Sequence, residues 1–276
     1  MVLPIFQVDA FASELFRGNP AAVCPLSEWL PDKTMQAIAA ENNLSETAFF
    51  VRNGDSYALR WFTPTLEIPL CGHATLASAY VIFEYLDPGA DGVKFTTASG
   101  ELAVKRAGKL LAMDFPALKS ETCLPPDDLI QGLVRVPREV RHCGEPGETG
   151  KYLAVYASEE DVRLLQPEMS YLARLERHGV IVTAPGERAD FVSRYFVPAM
   201  GVPEDPVTGS AHCVLVPYWA DRMGKKQFHA QQISARGGEV LCQLEESRVI
   251  LAGSAVCYLR GSILLPDPGD EGAIDA

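Results

Sequence analysis

The chain repeats itself. Arg60-Trp-Phe-Thr-Pro64 resembles Arg194-Tyr-Phe-Val-Pro198, and a further proline follows five residues after each, Pro69 and Pro203. At nearly the same interval Gly72-His-Ala74 matches Gly209-Ser-Ala211, and Ala98-Ser-Gly100 matches Ala235-Arg-Gly237, the second copy having gained three residues between Pro203 and Gly209. An interval of about half of a 276-residue chain, kept over so long a stretch, predicts two copies of one folding unit. The halves are placed at 1–118 and 119–265. A C-terminal strand near 262–266 is available to the first half, and 266–276 is read as a frayed tail.

The local patterns agree between the copies. Ala48 to Val51 and Tyr57 to Phe62 are short apolar runs around Asn53-Gly54-Asp55, a hairpin turn signal. Val180 to Thr183 and Phe191 to Phe196, around Pro185-Gly186, repeat the arrangement. After each hairpin comes a glycine and then a run, Ala74 to Phe83 or Ala211 to Ala220, that is apolar on nearly every face and so reads as a helix buried all round. Pro217 inside the second run predicts a kink or a shortened first turn. Pro31 to Asn43 reads as a further helix and Pro116 to Pro126, with three prolines, as a linker. Strand-like runs follow each buried helix without helices between most of them, so the expected fold class is α+β, two curved and mostly antiparallel sheets, each around its own helix.

Composition removes several functions. Lys plus Arg is 24 against 36 Asp plus Glu, a net charge of -12, which repels nucleic acid and anionic membranes alike. No run of about 18 apolar residues is present to span a bilayer, and the N-terminus lacks a signal-peptide pattern, so the chain is expected in the cytoplasm. The seven cysteines are scattered without a CxxC pair, which argues against a disulfide framework or a zinc ribbon.

Polar residues interrupt the apolar pattern at Ser45-Glu46-Thr47, at Cys71-Gly72-His73 and at Glu204-Asp205-Pro206-Val207-Thr208-Gly209-Ser210. A carboxylate beside a buried strand is costly unless solvated, paired or used, which makes Glu46 the first candidate for a general base. The two helix starts favour an anion through free N–H groups and the helix dipole. Gly72 and Gly209 permit close approach of a carboxylate, and His73 and Ser210, equivalent in the repeat, supply hydrogen bonds or a proton. The same residues suit structural roles: Thr208 or Ser210 as an N-cap, His73 as a satisfied core histidine, Glu46 as a turn carboxylate. Cys71-x-His73 and His212-Cys213 match no common zinc spacing and lack a completing carboxylate, so no metal is expected. A pair of thiols, Cys71 and Cys213, would suit a racemase, but the repeat aligns Cys71 with Thr208.

Asp9-Ala-Phe, Arg17-Gly-Asn-Pro-Ala-Ala-Val23, Ser45-Glu46-Thr-Ala-Phe49, Arg60-x-Phe-Thr-Pro-Thr65, Cys71-Gly-His-Ala-Thr75 and Asp205-Pro-Val-Thr-Gly-Ser-Ala-His212 together resemble the phenazine-biosynthesis isomerase (PhzF-like) family. The resemblance implies the diaminopimelate-epimerase-like fold, with the active site in a cleft between two pseudo-symmetric halves. It implies an isomerase acting on a small cyclic or amino-acid-like carboxylic acid, as the characterised member does on trans-2,3-dihydro-3-hydroxyanthranilate, without metal or cofactor. Carried over by motif, Glu46 is the acid/base, with His73 and Asp205 assisting the proton shift. Gly72, Ser210, Gly209, Thr208 and Cys71 bind substrate. Homodimers are common in the family and are the implied assembly. Two alternatives stand beside this: an epimerase or racemase using Cys71, and a non-catalytic binding protein on the same fold.

Overall fold

Residues 1–266 are described by the structure, a computed structural model; positions 267–276 of the tail expected to fray lie outside the described residues. Two compact units divide the chain. One holds Met1–Ala10, Pro20–Lys105 and the described residues from Ala255 on; the other holds Phe11–Asn19 and Arg106–Ser254. The stretches 11–19 and 106–118, assigned to the first half on sequence, therefore belong to the second unit. Strand pairing explains the latter, because Leu110–Pro116 runs antiparallel to Arg248–Gly253. The strand Ala255–Leu264 pairs antiparallel with Val2–Ala10, so the first unit recruits a longer C-terminal strand than expected.

In the first unit the strands Asn19–Leu26 and Glu46–Asn53 are parallel, and a parallel pair needs a crossover. The helix Asp32–Asn42 supplies it. Pro31 sits at its N-cap, where its missing N–H costs nothing, and Asn43 closes it in the left-handed region at φ 48 with its N–H on Ala39 O. Met35, Ile38 and Ala39 share one face and pack on Leu3, Cys24, Leu26, Phe49 and Phe62, each large side chain contributing about 1.5–3 kcal/mol.

The expected hairpin forms between Glu46–Asn53 and Ser56–Phe62. Asn53 pairs with Ser56, leaving a two-residue turn whose first residue, Gly54, has φ +61, a conformation that glycine adopts freely. The first buried helix is Gly72–Val81, closed from solvent from His73 to Ala79. Its buried Thr and Ser hydroxyls are satisfied within the helix, Thr75 Oγ1 donating to Cys71 O at 2.6 Å and Ser78 Oγ to Ala74 O at 2.7 Å.

The second unit repeats the wiring. Gly147–Val155 runs parallel to Arg177–Pro185, which forms the hairpin with Phe191–Val197. Phe191–Val197 pairs in parallel with Gln227–Gln232 as Ser56–Phe62 does with Gly92–Thr97. Most other strand pairs are antiparallel, as expected. The second buried helix, Gly209–Met223, continues past Pro217 without a break. Proline has no N–H for the carbonyl four residues back, and that carbonyl, Cys213 O, accepts the N–H of Leu118 at 2.9 Å instead. Leu118 lies in the stretch expected to be a linker. Pro116–Pro126 is thus part of the packed unit, with Ala117 N–H on Ser247 O and a short strand Glu121–Thr122 beside Arg141 and His142.

Three short helices escape the sequence reading, Asp127–Leu133, Glu159–Arg163 and Met169–Leu172. Each buries only one or two large apolar side chains, Leu129 and Leu133, Val162, and Leu172, which is too few to show a period. No helix among the described residues is long and apolar enough to cross a membrane.

Candidate functional site

Glu46 is the first residue of its strand, directly after the helix that Asn43 terminates. The Asn42 side chain donates to Thr47 Oγ1 at 3.1 Å and ties the helix end to the strand start. Ala21 pairs with Glu46 from the parallel strand, fixing the height at which the carboxylate leaves the sheet. Beside it, Cys71 takes an extended conformation and Gly72 begins the buried helix. His73 is thereby turned back toward the strand. Its Nε2 lies 2.9 Å from Glu46 Oε2, and neither atom touches solvent. On the other side of the ring, Nδ1 is 3.5 Å from Cys71 Sγ.

Burial works against a charged His73, but the Cys71 sulfur and the Glu46 carboxylate outweigh it and hold the imidazole well above the usual histidine value. Cys71 is itself pushed up to about 11, first by burial and then by Glu46. Its sulfur is a thiol near neutrality, so Glu46 supplies the charge that keeps the proton on His73. The result is a chain of carboxylate, imidazolium and thiol in one closed corner.

The sequence spacing of Cys71 and His73 lacks a completing carboxylate, and the structure corrects that reading: Glu46 joins them, and the three ligand atoms lie within 4.8 Å of one another. Such a set suits a thiophilic cation once Cys71 gives up its proton. As it stands, both ring nitrogens are engaged with Glu46 and Cys71.

The second unit holds a separate constellation. Asp205 ends the strand Val202–Asp205. One of its carboxylate oxygens accepts from Asn19 Nδ2 at 2.7 Å and the other from the Thr208 hydroxyl. Gln232 closes the loop by accepting from Thr208 N at 2.8 Å and donating to Asp205 O at 2.7 Å and to Thr208 Oγ1 at 3.1 Å. His212 rests its Nδ1 on Thr208 O at 2.8 Å, and burial pushes its pKa down to about 4, so it is a neutral core histidine.

Both buried helices begin in the same way. Cys71 and Thr208 occupy the N-cap positions in extended conformation, and neither side chain caps the helix, Thr208 having given its hydroxyl to Asp205. The first-turn N–H groups thus lack the usual side-chain acceptor. Ser210 stands half-buried at the second position of its helix. A methyl group at Gly209 would meet only Leu251, at 3.8 Å, so packing within the unit does not demand glycine there.

Of the residues singled out from sequence, Glu46, Cys71, Gly72 and His73 come together in the first unit. Asp205, Thr208, Gly209 and Ser210 lie along one turn and helix start of the second. Sequence reasoning passed over Asn19 and Gln232. Asn19 stands inside the Arg17-Gly-Asn-Pro motif and was there to be found; Gln232, a polar side chain at the end of a strand, carries no local signal.

A family model described as phenazine biosynthesis-like protein matches residues 8–261. Two proteins of Pseudomonas aeruginosa, each named an uncharacterized isomerase, are 51% and 52% identical, covering 96% of this chain and all of theirs. The crystal structure of a phenazine biosynthesis protein of the PhzF family from Enterococcus faecalis superposes with a TM-score of 0.91 at 45% identity, over 96% of this chain and 100% of that one.

Proposed function

The chain belongs to the phenazine biosynthesis-like protein family, and from that premise we propose that it is an isomerase that moves a proton on a small cyclic or amino-acid-like carboxylic acid by general acid/base catalysis. The Glu46 carboxylate takes a proton from one carbon and delivers one to another. One observation carries the reading: Glu46 Oε2 and the His73 imidazolium Nε2 lie 2.9 Å apart, both atoms shielded from solvent, at the start of a buried helix. The Glu46 side chain remains 15% exposed, so the proton it has taken exchanges with water before the return step, and in deuterated water deuterium enters the product.

In this scheme His73 holds Glu46 in place through their ion pair, and Cys71 holds the far side of the ring. The chemistry needs no redox partner and no Lewis acid, because one carbon loses a proton and another gains one with no change of oxidation state; we therefore assign no metal or cofactor. Asp205, Thr208, Asn19 and Gln232 form the rigid frame that sets the second helix start, where Gly209 and Ser210 offer N–H and O–H donors to substrate. Conversion of candidate acids in deuterated water tests the scheme: Glu46→Gln is expected to retain its fold and lose the exchange, and exchange at the wild-type rate would refute the role of Glu46.

A further inference from the structure

The two hairpins can be laid over one another residue by residue. Trp61 pairs with Ala48 and Phe62 with Thr47; Tyr195 pairs with Ile181 and Phe196 with Val180. Because Trp61-Phe62 and Tyr195-Phe196 are equivalent in the repeat, Thr47 corresponds to Val180, and Glu46 to Gly179. The neighbouring parallel strands extend the match, since Ala21 pairs with Glu46 and Lys151 with Gly179. At the position where the first unit has its carboxylate, the second has no side chain. A Cβ built on Gly179 would run into the Tyr195 hydroxyl and would lie 3.0 Å from Lys151 Cγ. The lysine and the tyrosine thus fill the volume that a counterpart of Glu46 would need.

Lys151 is buried, 6% exposed. Its ammonium donates to Thr149 O at 2.9 Å, one carbonyl for three N–H donors, and among the described residues no carboxylate pairs with it. Its electrostatic neighbours are two thiols. Cys143 is directly opposite on the antiparallel strand, and Cys213 lies one turn into the second buried helix, its Sγ directed at Gly209 O at 3.5 Å. Burial pushes Cys213 up to about 12 and raises Cys143 as well, so neither offers a negative charge near neutrality. A buried ammonium without a counter-ion is costly, which is why a ligand anion is favoured there.

We propose that Lys151 is a carboxylate-binding residue, taking the acid group of a small organic acid in the second unit at the register position that Glu46 occupies in the first. This rests on the reading of the chain as an isomerase of carboxylic acids. Lysine at this place gives the repeat two unlike corners, a proton-moving one at Glu46 and an anion-holding one at Lys151.

The probe is benzoate, with benzamide as its uncharged counterpart, titrated calorimetrically into the wild type and Lys151→Met. The wild type is expected to bind benzoate in preference to benzamide. Lys151→Met should bind benzoate at least ~tenfold more weakly, the scale of one charge-assisted hydrogen bond, with benzamide unchanged. Should the variant not fold, wild-type protein labelled at lysine Cε should show a single buried lysine signal shifting with benzoate and not with benzamide. Absence of benzoate binding by the wild type, equal benzoate affinity in a folded Lys151→Met, or no shifted buried signal overturns the proposal. Binding is read without turnover, so failure of the isomerase reading, seen as no deuterium entering any acid tested, is distinguishable from failure of this one.

Discussion

Glu46 Oε2 and His73 Nε2 stand 2.9 Å apart, contributed by a strand start and a helix start that lie 27 residues apart in sequence. Their contact, backed by the Cys71 thiol, is the pair on which the proposed proton transfer rests, and its electrostatics can be measured.

His73 has a pKa above its ordinary value in the folded chain, so the native state binds more protons than the unfolded state between about 6.5 and that raised value. Its stabilising contribution is complete below about pH 6.5 and is lost as pH rises through the folded pKa. Urea unfolding across that window should show wild-type stability falling relative to His73→Asn. Parallel pH profiles for the two proteins would contradict the charged pair.

His212 has the opposite sign. Its folded pKa of about 4 lies below the ordinary histidine value, so the unfolded state takes up the proton first and stability is lost as pH falls from about 6.5 toward 4, by about 3 kcal/mol in all. His212→Gln should flatten this limb of the stability curve, and an unchanged limb would assign acid unfolding to other groups.

A thiol with a pKa of about 11 is a poor nucleophile and a poor base near neutrality. Cys71 should resist iodoacetamide at pH 7.5 in the native protein, and Cys71→Ser should keep deuterium exchange within about tenfold of wild type. Complete loss of exchange in a folded Cys71→Ser would instead favour the epimerase chemistry that uses this cysteine.

Gln232 satisfies three polar partners around Thr208 and Asp205. Gln232→Leu leaves buried groups unpaired and should cost about 1–3 kcal/mol in chemical denaturation. A cost near zero would mean that the Asp205 loop does not depend on this frame.

Much of this was legible in the chain. The hairpins, the buried helices and the repeat were readable because glycine turns and all-round apolar runs are local signals, as at Gly54 and from Ala74 to Phe83. Glu46, Cys71 and His73 were readable as polar breaks in such runs. Their union was not, since no spacing says that a strand start meets a helix start. At Pro217 the sequence shows the lost N–H and not the Leu118 N–H that takes its place on Cys213 O. Gln232 and Lys151 stayed hidden for a related reason: their roles come from strand register, which places Lys151 beside Gly179 and is invisible along the chain.

The central claim is that the Glu46 carboxylate moves the proton. Wild type and Glu46→Gln, matched for thermal stability, should be incubated with a panel of small cyclic and amino acids in deuterated water, and deuterium at carbon read by NMR. Deuterium is expected in at least one acid with the wild type, with a loss of about a thousandfold or more in Glu46→Gln; equal incorporation by both proteins would contradict a role for Glu46 in moving the proton.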